Sequence, residues 1–290
     1  MHEQEFLAER FESNRTHLRA VAYRMLGSLS EADEAVQESW LRVSRAGTDG
    51  VENVSGWLTT VVARVSLDML RARKSRREDS LDAHLPEPIV SRADGVDPEH
   101  QLLLANSVGL ALLVVLETLA PAERLAFVLH DMFAVPFDEI APIVGTTSTA
   151  ARQLASRARR RIQGSPTVPD ADLERQHAVV SAFLAASREG NFDALLAVLD
   201  PDVVLRADLG AAGSKEVRGA RQVAGQALTF ARLGLSARPA LVNGAAGTVS
   251  ARDGQVFSVM GFTIVNERIA QIHVLADPER LRHVDFKVLG

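Results

Sequence analysis

The sequence predicts a mainly α-helical N-terminal part followed by a C-terminal α+β cone, and three observations carry that expectation. Apolar residues recur at helical spacing from Phe6 to Arg77 and again from Leu102 to Ile162. A breaker cluster, Gly164, Pro166 and Pro169, then ends the helical part. Beyond it, helical patterns give way to short strand-like runs, of which Val256–Val265 and Ile269–Leu275 are the clearest. A chain of 290 residues is expected to hold two or three domains. The expected boundaries are a helical domain at 1–79, an acidic linker at 80–106, a second helical domain at 107–165 and the α+β domain at 172–290.

Taken in order, the first helices lie between Phe6 and Ser44. Leu18, Val21, Ala22, Met25 and Leu26 form one apolar face, and Ala35, Val36, Trp40, Leu41 and Val43 form the next. Gly27 and Ser28 separate them. Ser30 is expected to cap the second, with Glu31, Asp33 and Glu34 favourable in its first turn. A loop from Gly47 to Asn53 precedes a long helix over Ser55–Arg77, whose apolar side includes Leu58, Val62, Val65 and Leu70. Ser80–Gln101 has no helical period and holds Pro86, Pro88, Gly95 and Pro98, so it is expected to be a linker. Asp79, Asp82, Glu87, Asp94, Asp97 and Glu99 make it acidic. Leu102–Leu116 is the most apolar stretch but contains Asn106 and Ser107. It falls short of the ~20 residues a membrane span needs, so a buried helix and no membrane partner are expected.

The stretch FDEIAPIVGTTSTAARQLAS (Phe137–Ser156) joins two short helical patterns at Gly145. Ala141 supplies a small residue where two helices cross, and Gly145 tolerates the positive φ of a tight turn. Ile140, Val144, Ala151 and Leu154 are the expected apolar fastening. Ser148, or Thr147 beside it, is placed to cap the second helix. The outer face of that helix carries Thr149, Arg152, Gln153, Ser156, Arg157 and Arg160, a set suited to phosphates and base edges in a major groove. An ordinary helical hairpin with a solvated basic face shares this pattern. Pro142 lies inside the first helix, where it removes one hydrogen bond at a cost of roughly 3 kcal/mol.

Charge distribution sharpens the reading. The net charge of −5 argues against a generic polyanion binder. Yet five of the seven residues from Arg71 to Arg77 are basic, and Arg157, Arg159, Arg160 and Arg161 form a second cluster. Two basic stripes on an acidic chain fit nucleic acid at the stripes and protein elsewhere. With no cysteine, disulfides and thiolate metal sites are excluded. A mixed-charge N-terminus without an apolar core adds to the expectation of a cytoplasmic protein without a signal peptide.

DEAVQESWLRV (Asp33–Val43) and NVSGWLTTVVARVSLDMLRARKSRRE (Asn53–Glu78) resemble region 2 of extracytoplasmic-function RNA polymerase sigma factors, and Ala120–Ile162 resembles region 4 of the same family. The resemblance implies a four-helix promoter-melting domain, a helix-turn-helix domain, and partners in core RNA polymerase (the β′ clamp helices and the β flap) and promoter DNA. Asp33, Gln37 and Glu38 match the surface for the β′ clamp helices; a solvated acidic face has the same composition. Asn53 matches the element that captures a flipped base, for which a shaped polar pocket is required; it equally suits the N-cap of the next helix. Arg64, Arg71, Arg73 and Lys74 match the basic face that meets DNA. Asp68 lies one helical turn after Arg64, within pairing distance. Val65 stands where the family often has asparagine.

Leu85, Pro86, Glu87 and Pro88 resemble a linker motif of sigma factors that carry an extra C-terminal domain, and Asp277–Leu281 resembles a short C-terminal motif of those relatives. His177–Asp208 resembles the opening of a SnoaL-like domain of the NTF2-like superfamily. In that domain helices are expected over Leu173–Ser187, Phe192–Leu199 and Arg221–Ala231. The expected strands are Val203–Leu209, Ala240–Val242, Val256–Val265 and Ile269–Leu275, with a turn at Asn266-Glu267. The implied function is an alternative sigma factor that binds core RNA polymerase and directs transcription initiation, regulated by its C-terminal domain, with no cofactor, metal or chemistry of its own. Two other readings are a ligand-sensing DNA-binding regulator and a SnoaL-like isomerase or cyclase. The latter would draw on Asp202, Asp208, His273 or Asp277 as acid or base, with an unknown small molecule as its ligand.

Overall fold

The computed structural model describes residues 2–46, 51–77, 85–93, 109–164, 169–170 and 172–286. The loop positions Gly47–Gly50, the linker acids Asp79, Asp82, Asp94, Asp97 and Glu99, the linker breakers Gly95 and Pro98, residues 102–108 of the apolar stretch, and Pro166 all lie outside the described residues. The chain divides into two units, Met1–Leu81 with Val115–Gly164, and Asp82–Val114 with Ser165–Gly290.

The first unit opens with α1 (His2–Leu26), α2 (Leu29–Ala46) and α3 (Val54–Arg77), three helices among the described residues where the resemblance implied four. Phe11, Leu18, Val21, Met25, Val36, Leu58, Val62 and Leu67 fill their common core at no more than 2% exposure. Each such burial contributes about 1.5–3 kcal/mol. Gly27 ends α1 in the left-handed conformation, φ 73°, and its N–H returns to Tyr23 O. Ser28, not Ser30, caps α2: its Oγ accepts the Glu31 N–H at 3.3 Å, because the helix begins at Leu29. Trp40 packs on Phe11, whereas Leu41 next to it faces solvent. Adjacent positions lie about 100° apart on a helix, so one apolar stripe does not hold both.

The chain returns through α4 (Leu110–Glu117), α5 (Pro121–Phe127), a π-helical turn (Val128–Met132), α6 (Phe137–Val144) and α7 (Ser148–Gln163). Helix α7 packs on α5 and α6, and α3 also packs on α5 and α6. The seam between α1–α3 and α5–α6 is built on charge. Arg124, 2% exposed, donates Nε–H to Arg24 O at 3.2 Å and pairs with Glu117 at 3.0 Å. Glu117 also meets Arg73 at 3.2 Å, and Arg73 reaches Glu31 at 3.1 Å. The Arg24 guanidinium lies 5.0 Å from the centre of the Phe133 ring. Burial pushes the Arg24 pKa down to about 10. It lowers that of Arg124 as well, against the pull of Glu117.

The second unit is a seven-stranded sheet ordered β1-β4-β5-β6-β7-β2-β3. Its strands are β1 (Val90–Arg92), β2 (Leu199–Asp208), β3 (Ser214–Arg218), β4 (Ser236–Val242), β5 (Ala245–Arg252), β6 (Gln255–Val265) and β7 (Arg268–Leu275). Among the described residues β2 and β7 are parallel neighbours and the other pairs are antiparallel. Helices α8 (Leu173–Glu189), α9 (Phe192–Val198) and α10 (Ala220–Ala231) supply Val180, Phe183, Leu195 and Val223 to a core with Val203, Phe262 and Ile272. A second cluster joins Val90, Leu110, Val242, Val249 and Val259 to Leu281 of the short α11 (Pro278–Leu281). The β6–β7 turn is at Asn266-Glu267 as expected, both residues having positive φ.

Three strands depart from the sequence expectation. Val90–Arg92, within the segment read as a linker, form β1, β3 is a polar strand at the end of the sheet, and β5 begins with small residues. A Cβ on Gly247 of β5 would stand 2.4 Å from Val242 Cγ2 and 2.7 Å from Met260 O, so close strand approach requires glycine there. Among the described residues no helix is long and apolar enough to cross a membrane.

Candidate nucleic-acid interface

The helix-turn-helix closes at Gly145, whose φ of 77° ends α6 while its N–H bonds Ala141 O. Thr147 is the cap of α7, accepting the Ala150 N–H at 3.2 Å, and Ser148 Oγ instead donates to Asp138. The buried seam of α7 runs Ala151, Ala155, Ala158 rather than Ala151 and Leu154, because alanine lets α7 lie close to Ile140 and Ile143. Thr149, Arg152, Gln153, Ser156, Arg157 and Arg160 are all exposed on the other side. Arg152 is steadied over the Phe137 ring, 5.3 Å from its centre, and that ring stacks on His130. Later arginines are tethered: Arg159 to Asp131 at 2.6 Å, and Arg157 and Arg161 to Glu123 at 3.9 and 3.7 Å. Among the described residues Arg160 has no acidic partner within ion-pair distance.

On α3, Arg64, Arg71 and Lys74 are exposed, while the side chains of Arg76 and Arg77 lie outside the described residues. Arg64 donates to Pro142 O at 3.2 Å, and its presumed neighbour Asp68 meets Arg42 at 3.6 Å instead. Arg73 departs from the basic row: half-buried, it also donates to Leu26 O at 3.1 Å and is held inside the seam by Glu31 and Glu117. Val65 is 1% exposed, which removes it from any base contact. Asn53 Oδ1 accepts the Gly56 N–H at 3.0 Å, the geometry of an N-cap. A Cβ on Gly56 would lie 2.6 Å from Asn53 Nδ2, so Gly56 is what lets that side chain sit there.

The acidic positions of α2 face different neighbours, Asp33 towards α1 and Glu38 towards α3. Asp33 accepts two bonds from Arg19, and Glu38 pairs with Arg42 at 2.9 Å. Gln37, Glu38 and the exposed Leu41 line a groove with Asp68 and Met69 of α3. Leu41 is the residue the sequence reading assigned to the core. Its signal was the Trp40-Leu41 pair, only one member of which fits the stripe.

In the second unit the linker motif is held in place. Leu85, Pro86, Glu87 and Pro88 are buried. Arg280 bonds both Leu85 O and Asp208, and Asp208 also accepts the Leu85 N–H at 3.3 Å. Four residues on, Ile89 N–H reaches Asn243 Oδ1 at 3.1 Å and Asn243 N–H returns to Ile89 O at 2.8 Å. Strand β1 then pairs with Ala240–Val242 of β4. Of the acid–base candidates, Asp208 and Asp277 both lie against Gly210, but each carboxylate is occupied. Asp208 is engaged by the linker, Asp277 caps α11, and Asp202 is exposed on β2. His273 is fully buried, and burial with Arg206 nearby lowers its pKa to about 3, so it stays neutral.

Sigma-70 region 2 matches residues 10–76, and sigma-70 region 4 matches residues 109–162. The chain is 43% identical to the ECF RNA polymerase sigma factor SigJ of Mycobacterium tuberculosis over 212 residues, 73% of this chain and 68% of that one. It is 34% identical to a probable ECF RNA polymerase sigma factor SigI of the same organism over 274 residues, 93% of each. A crystal structure of Mycobacterium tuberculosis SigJ matches 97% of this chain and 100% of its own, with a TM-score of 0.77 and 34% identity. With two sigma-70 regions in order and full-length relatives on either measure, the chain belongs to the extracytoplasmic-function RNA polymerase sigma factors, alternative sigma factors that direct transcription initiation.

Proposed function

We propose that this sigma factor meets the β′ clamp helices of core RNA polymerase through Asp33, Gln37 and Glu38, and the β flap through its region 4 part. Promoter DNA is met on two faces: Asn53, Arg64, Arg71 and Lys74 in region 2, and Thr149, Arg152, Gln153, Ser156, Arg157 and Arg160 in region 4. The reading rests on α7, which has no carboxylate among its 16 residues and turns all six of those side chains to solvent. Arg73 is left out of the DNA set because its guanidinium is held by two glutamates. The protein acts in the cytoplasm, where core polymerase works, and carries no catalysis of its own.

Reading and anchoring are divided along α7. Arg152, near the start and oriented by Phe137, reaches base edges; replacing it with alanine costs about 1–3 kcal/mol at one promoter position and relaxes selectivity there. Arg160 lies late and meets phosphate. Arg160→Ala weakens all promoter variants alike and lowers the slope of log K against log salt by about 1. Binding titrations over a set of promoter variants at several salt concentrations separate the two. Identical behaviour of both substitutions rejects the division.

The second unit regulates by holding the linker. A stretch of chain clamped from Leu85 to Arg92 limits the span open to the region 2 and region 4 elements it joins. Arg280→Ala removes the charged bond to Asp208 and the bond to Leu85 O together. A hydrogen bond to a charged group contributes about 1.5–3 kcal/mol, so exchange of the Ile89 amide should accelerate roughly 10- to 100-fold, with altered output in reconstituted transcription. Unchanged exchange and unchanged transcription would remove the clamp from the account.

A further inference from the structure

The sheet of the second unit has a use that the linker clamp does not explain. Between the helices and the sheet lies a cavity of about 230 Å³. Its walls are apolar: Phe183 and Leu184 of α8, Phe230 of α10, Met260 of β6 and Ile272 of β7. An apolar cavity of about 150 Å³ holds benzene, so this one has room for a group of roughly eight or nine carbons. Two charged side chains line it, Arg188 and Lys215, and both are cations exposed to solvent. Lys215 is directed by a 2.8 Å bond to Gln226, and the cross-strand pair Ser250 and Ser258 adds two hydroxyls. Apolar walls with a few polar groups and a one-sign charge describe a site for a small amphipathic anion. No carboxylate lines it to oppose such a guest.

The same strand also carries the clamp. Side chains alternate along β2, so Ala207 and Leu209 line the cavity while Asp208 between them holds Arg280 and the Leu85 N–H on the other face. Anything that fills the cavity bears directly on the two neighbours of Asp208.

We propose that the cavity binds an organic carboxylate with a chain or ring of about eight carbons, and that its occupancy shifts the hold on the linker. The second half rests on the clamp reading above; the first half does not. The probe is octanoate, with octan-1-ol as the same body without charge, titrated into the full-length protein. Saturable octanoate binding is expected, about fivefold tighter than octanol at low salt, with Arg188→Gln/Lys215→Gln removing the preference. Ala227→Phe and Met260→Trp, which fill the cavity from opposite walls, should each weaken binding at least tenfold. Because either variant can fail to fold, a readout in the unaltered protein accompanies them. Of the five methionine methyls, that of Met260 should shift on titration. Absence of saturable binding, preference for octanol, or shifts confined to the other methionines overturns the site. Octanoate bound at Met260 with unchanged exchange of the Ile89 amide overturns the coupling alone, since Arg280→Ala without ligand tests the clamp by itself.

Discussion

Reversing the charge of Asp33 and Glu38 together, as Asp33→Lys/Glu38→Lys, is expected to abolish co-purification with core RNA polymerase while helical content stays unchanged. Both side chains are about half exposed, at 56% and 45%. Their pairs with Arg19 and Arg42 are surface pairs, each contributing at most about 1 kcal/mol, so a basic partner displaces them at little cost. Like-charge juxtaposition across an interface costs several kcal/mol, which is more than a hundredfold in Kd. Leu41 shares a groove with Glu38 and would add an apolar contact to the proposed interface. Circular dichroism checks the fold and a pull-down with purified core checks binding. Retained binding in the folded double variant moves the interface elsewhere.

The second large effect is on stability. Glu117→Ala leaves Arg124, 2% exposed, and half-buried Arg73 facing each other without their shared carboxylate. Removing one partner from a buried pair costs about 3–5 kcal/mol, because the remaining charge stays desolvated. Urea unfolding should show the first unit's transition at lower midpoint with the second unit's unchanged. The double variant Glu117→Leu/Arg124→Met restores most of the loss, since an apolar replacement of both partners removes the desolvation penalty. A loss under 1 kcal/mol for Glu117→Ala would mean that water reaches the seam. An interface built on charge, unlike one built on leucine, loses little on rehydration, so this seam would open at lower cost than an apolar one.

Helices and the DNA-reading motif were legible because their signals are local. Gly145 announces a left-handed residue, recurrence of apolar positions at three- and four-residue spacing marks α3, and the exposed row of α7 follows from 3.6 residues per turn. The linker motif was legible by resemblance, but its burial was not, since the partners of Leu85 and Ile89 lie more than 120 residues away in sequence. Arg73 was misplaced for the same reason: a guanidinium facing Glu31 and Glu117 looks in sequence like one facing phosphate. Strand β5 went unseen because Ala245, Ala246 and Gly247 carry little β propensity; their smallness is imposed by Val242 and Met260 across the sheet. Strand β3, with Lys215, Glu216 and Arg218, reads as a loop because it is an edge.

Strand β4 shows what the linker protects. Its outer side is unequal along its length: Ser236, Ala237, Arg238 and Pro239 have no β1 partner, whereas Ala240, Leu241 and Val242 are paired. Proline lacks the donor that a new strand would need, and arginine discourages close stacking, so the unpaired half guards itself. Among the described residues the apolar half is covered by Val90, Ser91 and Arg92. Without β1, Ala240, Leu241 and Val242 would present whichever of their backbone groups face away from β5, between aliphatic side chains, as an uncovered sheet edge. Strand β1 thus covers the stretch of β4 that neither Arg238 nor Pro239 guards.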